Sequence, residues 1–119
     1  MRINVIGSGY VGTTLAASLA DLGHDVTAID IDEGVVEKLK NGRAPIHEPG
    51  LEELVAQHAG DRLRATTSYD DIPTADLTFL AIQTPSREDG SIDTSALCAA
   101  AEMAGEALKD DTDRHVVVV

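Results

Sequence analysis

Aromatic side chains are nearly missing from this chain: two tyrosines, one phenylalanine and no tryptophan among 119 residues. The core must therefore be assembled from Val, Ile, Leu and Ala. The single cysteine, Cys98, excludes an internal disulfide and suits a reducing, cytoplasmic compartment. Cys98 lies in an Ala-rich helical stretch and reads as a small buried hydrophobe on the apolar face of that helix, not as a nucleophile. No Cys/His cluster has metal-ligand spacing, so no metal site is indicated. The scattered His24, His58 and His115 read as structural or solvated groups and compose no catalytic triad. No apolar run approaches membrane-spanning length, and the apolar start is too short for a signal peptide.

Basic residues are also scarce. Three lysines and six arginines face 21 acids, for a formal net charge of −12. Such a surface repels nucleic acids and anionic membranes, and neither is expected as a partner. Abundant acid with little lysine is also the compositional pattern of proteins from salt-loving microbes.

What is present is a regular alternation of strand and helix signals. The apolar run Ile3 to Ile6 ends at Gly7. Val11, Leu15, Leu19 and Leu22 then recur at helical spacing, which predicts an apolar helix face closed by Gly23. Val26 to Asp30 reads as a second strand. Asp32 can cap a second helix with Val35, Val36 and Leu39 facing inward and Asn41-Gly42 ending it. Pro45 and Pro49 bracket a loop before a third helix carrying Leu51, Leu54 and Val55. Leu63 to Thr67 reads as a third strand, 69–76 as turns or one short helix, and Leu77 to Ile82 as a fourth, fully buried strand. After the polar loop Gln83 to Ile92, Asp93 or Thr94 caps a long helix whose face is Leu97, Ala100, Ala101, Ala104 and Leu108. His115 to Val119 reads as a buried central strand. The order implies an α/β fold of Rossmann type, a doubly wound parallel sheet with helices on both faces. Because the sequence stops on a strand, residues 1–119 are expected to be the amino-terminal domain of a longer protein.

One motif carries chemistry. Gly7-Ser8-Gly9-Tyr10-Val11-Gly12 is a G-x-G-x-x-G that directly follows a predicted strand and opens a predicted helix. Gly7 permits the tight turn, Gly9 lets a pyrophosphate approach the backbone, and Gly12 lets helix and strand pack closely. The helix N-terminus then faces the phosphates with its free amides and positive dipole end. Asp30, 18 residues beyond Gly12 at the end of the next strand, can accept hydrogen bonds from both ribose hydroxyls. With Asp32 beside it, a 2′-phosphate would meet like charge, so NAD is favoured over NADP.

The motif series is more specific than the glycine loop alone. Asp30-Ile31-Asp32, Pro45-Ile46-His47-Glu48-Pro49-Gly50-Leu51, Thr84-Pro85 and Asp89-Gly90-Ser91-Ile92-Asp93 follow it in order. Together they resemble the amino-terminal domain of the nucleotide-sugar 6-dehydrogenases, which act on UDP-glucose, UDP-N-acetylmannosamine or GDP-mannose. The resemblance implies oxidation of a sugar C6 alcohol to a carboxylate with two NAD, UDP-glucose to UDP-glucuronate being the first expectation. It also implies a homodimer, and a catalytic cysteine, lysine, aspartate and glutamate that all lie beyond Val119; no catalytic residue is expected within residues 1–119. The residues it carries over bind cofactor: Gly7, Gly9 and Gly12 with the backbone of Tyr10 and Val11 at the pyrophosphate, Asp30 at the ribose, and Thr84 against the cofactor. One departure stands out, because Val35 occupies a position where that family commonly has Lys or Arg.

Residues 2–42 also resemble the NAD-sensing regulatory domains of potassium transport systems, which catalyse nothing. The segment Pro45 to Leu51 is the dehydrogenase pattern and separates the two. The segment Glu48 to Leu51 likewise argues against dehydrogenases of hydroxy acids or acyl-CoA substrates.

The charge balance makes a direct prediction. Molar salt shortens the Debye length to about 3 Å and screens the self-repulsion of a −12 chain. Thermal melts across a potassium chloride series should show a rising midpoint, and a flat or falling one would contradict the salt-loving reading.

Overall fold

A computed structural model describes residues 1–111 and 113–119. In chain order the elements are β1 (Arg2–Ile6), α1 (Tyr10–Asp21), β2 (Asp25–Ile29), α2 (Glu33–Lys40), α3 (Leu51–His58), β3 (Leu63–Thr66), a 3₁₀ turn (Ile72–Thr74), β4 (Leu77–Leu80), α4 (Ser95–Leu108) and β5 (Val116–Val118). The strands form one parallel sheet in the order β3-β2-β1-β4-β5. Val5 at its centre registers with Ala28 of β2 and Phe79 of β4. This is the doubly wound architecture that the alternating pattern implies. The chain reverses direction of build between β1 and β4, which leaves a crevice outside the carboxyl ends of those strands.

Each face of the sheet carries its own core. On one face Ile3, Val5, Val26, Ala28 and Leu63 pack against Ala16, Ala17 and Ala20 of α1, Val36 and Leu39 of α2, and Leu51 and Val55 of α3. On the other, Ile6, Ile29 and Leu80 pack with Tyr69, Ile72 and the α4 residues Ala100 and Ala104. A buried polar chain joins the second face to the sheet. Asn4 Nδ2 donates to the Ile72 carbonyl at 3.2 Å and to Thr78 Oγ1 at 3.1 Å, and Thr78 Oγ1 lies 2.8 Å from His115 Nε2. Among the described residues no helix is long and apolar enough to cross a membrane.

The helix ends follow their residues. Asp32 caps α2, its Oδ1 accepting from the Gly34 amide at 2.9 Å and the Val35 amide at 3.3 Å. Gly23, at φ +100°, follows α1 in a left-handed conformation that side chains rarely adopt.

Several sequence expectations need correction. The buried face of α1 is not the leucine stripe. Val11 and Leu22 are 72% and 75% exposed, Leu15 and Leu19 are half-buried, and the surface pressed on the sheet is Gly12, Thr13, Ala16, Ala17 and Ala20. Close helix–sheet approach selects small residues over large ones, so hydrophobic size misreports the inward face. The face of α4 includes Ala100 and Ala104, but Ala101 and Cys98 are exposed. Strand β4 ends at Leu80, short of Ile82, and alternates half-buried with buried positions instead of being buried throughout. Within residues 1–119 strand β5 lies at the edge of the sheet with its valines exposed, where the sequence predicts a buried central strand.

These placements separate two substitutions. Leu22→Ala should leave stability within about 0.5 kcal/mol, whereas Ala17→Leu, at a fully buried position, should destabilise by about 1–3 kcal/mol through overpacking. Denaturant midpoints of the two variants check the order; a larger loss from Leu22→Ala would restore the leucine stripe as the packed face.

Candidate functional site

The site begins where β1 ends. The Gly7 amide donates to the Ile29 carbonyl at 2.8 Å, and the Ala81 amide donates to the Ile6 carbonyl at 2.8 Å. The turn is thus pinned to β2 on one side and β4 on the other. Gly7 has φ +102°, and a Cβ there would collide with the Ala81 carbonyl; a Cβ on Gly12 would collide with the Gly7 carbonyl. Gly9 differs: an added Cβ would meet only Gln83 Nε2, at an ordinary 3.5 Å. Among the described residues no close contact demands glycine at position 9; glycine there would let a ligand approach that backbone.

Gly9 is also the N-cap of α1, with no side-chain cap and no acid in the first turn. The Thr13 amide finds the Gly9 carbonyl at 3.0 Å, while the amides of Tyr10, Val11 and Gly12 precede the first intrahelical acceptor. This end of α1 has the geometry by which helix N-termini receive anions.

Asp30 stands beside it at the end of β2. Its Oδ2 accepts from the Ser8 amide at 2.9 Å and its Oδ1 from the Asp32 amide at 2.9 Å. One carboxylate therefore fastens the glycine turn to the start of α2. Between them opens a crevice of about 420 Å³. Its floor and walls come from the turn (Gly7, Ser8, Gly9), the end of β2 (Ile29 to Asp32), Val35, Tyr69, the segment after β4 (Ala81, Ile82, Gln83) and a stripe of α4. Ser8 lines this crevice, while its hydroxyl is buried with no hydrogen-bond partner among the described residues. An uncapped helix end without an acid in its first turn, beside a glycine whose added Cβ would meet only a side-chain tip, fits a phosphate-bearing ligand such as NAD.

The sequence-derived residues distribute as follows. Gly7, Gly9 and Asp30 line the crevice. Gly12 is buried behind the turn, and Tyr10 and Val11 extend exposed side chains from the first turn of α1. Thr84 is exposed in the segment after β4 and does not itself line the crevice, though the preceding Gln83 does. Val35 is half-buried and faces both the first core and the crevice.

Reasoning from sequence missed Tyr69, Gln83 and the α4 stripe Ala96, Ala99, Ala100 and Met103. The stripe was recoverable, because its spacing of three, one and three marks one helix face. Tyr69 offered no local signal. Its phenol pKa is raised, first by burial and then by the Asp30 charge.

Two of the specific motifs turn out to hold structure. In the hairpin after Thr84-Pro85, Asp89 Oδ1 accepts from the Ser91 amide and hydroxyl at 2.9 and 2.6 Å, and Gly90 has φ +87°. Asp93 does the same for Ser95 at the start of α4. Those contacts, hydroxyl bonds first, lower the carboxyl pKa of both acids. In the other motif Gly50, at φ +82°, starts α3, and Leu51 enters the first core.

Replacing Asp30 tests the ribose position. Asp30→Ala should weaken NAD binding by about 1–3 kcal/mol by removing a charged acceptor, and the unaltered chain should bind NAD more tightly than NADP. Calorimetry with both dinucleotides decides, with circular dichroism confirming the fold; equal NADP affinity would remove the charge argument.

The comparisons agree with this geometry. The family model described as the UDP-glucose/GDP-mannose dehydrogenase family, NAD binding domain, matches residues 1–119. The UDP-glucose 6-dehydrogenase of Haloferax volcanii is 60% identical over 118 residues, covering 99% of this chain and 27% of that protein. The GDP-mannose dehydrogenase ternary complex from Pseudomonas aeruginosa superposes with a TM-score of 0.92 at 33% identity, over 98% of this chain and 27% of that one. The UDP-glucose dehydrogenase of the archaeon Pyrobaculum islandicum gives 0.88 at 39% identity, over 98% and 27%. The chain thus spans about a quarter of the length of these relatives. It belongs to the UDP-glucose/GDP-mannose dehydrogenase family, as the NAD binding domain.

Proposed function

We propose that this chain is the cofactor-holding part of a nucleotide-sugar 6-dehydrogenase that oxidises UDP-glucose to UDP-glucuronate with two NAD. The observation that carries the choice of sugar is the 60% identity to a UDP-glucose 6-dehydrogenase, against 36–39% for the GDP-mannose 6-dehydrogenases. The salt-loving reading of the acidic composition accords with the Haloferax source of that relative.

NAD, when bound, supplies the hydride acceptor. The residues of this chain bind and orient it. The amides of the turn from Gly7 to Gly12, including those of Tyr10 and Val11, take the pyrophosphate at the end of α1. Asp30 takes the ribose hydroxyls while still bracing the turn. Thr84, which the resemblance puts against the cofactor, is exposed just beyond the crevice-lining Gln83, so its contact with NAD is at the rim of the crevice. Val35 stands where the resemblance would put a base, so the adenosine end here relies on shape and on Asp30.

No side chain of residues 1–119 takes a chemical step in this reading. Cys98 is exposed on α4 and does not line the crevice. His58 is spent on a 3.1 Å contact with Asp21, and His115 on Thr78. The catalytic groups and the sugar-binding wall belong to the remainder of the protein, which acts as a cytoplasmic homodimer.

Residues 1–119 alone should bind NAD yet oxidise no sugar nucleotide, because substrate positioning accounts for several powers of ten in rate. NADH absorbance with UDP-glucose, UDP-N-acetylmannosamine and GDP-mannose, on this chain and on the complete protein, reads both halves of the claim. Turnover by residues 1–119 alone would relocate the active site. Silence of the complete protein with all three sugars would favour a regulatory nucleotide sensor.

A further inference from the structure

We propose that Tyr69 is a ligand-contact residue of this site, its ring forming the floor of the crevice at the Asp30 end, where a purine nucleoside lies against it. This rests on the dinucleotide reading above and adds a residue to it. Three observations converge on Tyr69.

The first is placement. Tyr69 follows β3 and lines the same crevice as Asp30. Both residues line the one crevice, and the Asp30 charge adds to burial in raising the pKa of the phenol. A ligand whose ribose diol meets Asp30 carries its base past Tyr69.

The second is preorganisation. Tyr69 is only 8% exposed and belongs to the second core with Ile29, Ile72 and Leu80. Its carbonyl accepts from the Ile72 amide at 3.2 Å. A ring held this way loses little rotamer freedom when a ligand arrives, so the contact is made at low entropic cost.

The third is chemistry. The crevice that Tyr69 lines also carries apolar side chains: Ile31, 77% exposed, Met103, 45% exposed, and half-buried Val35. Exposed aliphatic side chains and an aromatic ring in one crevice match a flat, uncharged base better than a phosphate or a sugar. The raised pKa keeps the phenol neutral at physiological pH, so the ring brings no negative charge toward the phosphates.

The composition provides the reporter. With two tyrosines and no tryptophan, intrinsic emission comes from Tyr10 and Tyr69 alone. Titrations with AMP, ADP-ribose and nicotinamide mononucleotide follow that emission in the 119-residue chain and in Tyr69→Phe, and calorimetry measures affinities for both and for Tyr69→Leu. AMP and ADP-ribose should alter the emission and nicotinamide mononucleotide should not, and Tyr69→Phe should abolish the responding component. Tyr69→Phe keeps the ring face and should hold AMP affinity within about threefold, whereas Tyr69→Leu should lose about tenfold or more for AMP and ADP-ribose. AMP binding without any emission change overturns the proposal, as does a folded Tyr69→Leu that binds AMP like the parent. If Tyr69→Leu does not fold, the emission of the parent and of Tyr69→Phe decides. Failure of NAD and ADP-ribose to bind the parent chain at all defeats the dinucleotide reading itself, and the proposal with it, which is a different result from binding that ignores Tyr69.

Discussion

The close contact of three backbone segments sets everything else in this domain. Gly7 sits where a Cβ would strike the Ala81 carbonyl, and Gly12 where a Cβ would strike the carbonyl of Gly7 itself. The end of β1, the start of α1 and the exit of β4 therefore converge on one another. That convergence brings α1 down on the sheet, so that its buried residues are Gly12, Thr13 and three alanines. It also aims the first turn of α1 at the switch between β1 and β4, where the crevice opens. A side chain at either glycine would lift the helix and move the anion site with it.

Asp30 adds the second constraint. A carboxylate at the end of β2 is usually described by what it offers a ribose. Here both of its oxygens are already engaged by the amides of Ser8 and Asp32. The group proposed to meet the ribose also spans the gap between the glycine turn and α2. Each oxygen retains lone pairs for a further donor, so bracing and binding are compatible. The consequence is coupling: disturbing Asp30 alters the shape of the phosphate turn as well as the ribose contact.

How much of this was legible in the sequence depended on how local the cause was. The strands, the capping of α2 by Asp32 and the glycine turn were legible, since periodicity and turn chemistry act within a few residues. The direction of α1 was not. A pattern of leucines marks apolar surface, but the sheet chose the alanine face because the Gly7–Gly12 contact leaves no room for larger residues, and that contact is tertiary. The far end of the helix, with Leu22 exposed, carries the same lesson. Tyr69 was illegible for a related reason: it joins the crevice only because β3 and β4 lie on opposite sides of β1 and β2, so that the chain crosses over the second face between them. The motifs Asp89 to Asp93 and Pro45 to Leu51 were legible as family signals, yet their contacts in the chain are structural, holding a hairpin, a helix start and a loop.

Charge poses the remaining physical problem, since a chain of net charge −12 must hold an anionic pyrophosphate. The structure meets it locally. The turn and first helical turn are free of acids, and the dipole of α1 contributes partial positive charge at that end, where the proposed reading puts the phosphates. The two acids nearest the crevice are not bare. Asp30 is bonded to two amides, and Asp32 is turned toward the Gly34 and Val35 amides of its own helix. Amide dipoles offset part of each carboxylate's field on the side facing the ligand. Long-range repulsion from the remaining surface acids is a solvent-screened effect and weakens with ionic strength. Backbone amides at short range are screened far less, because the turn is partly buried. The acidic surface and the anion site can therefore coexist, and raising the salt should relieve the repulsion without weakening the amide contacts to the same degree.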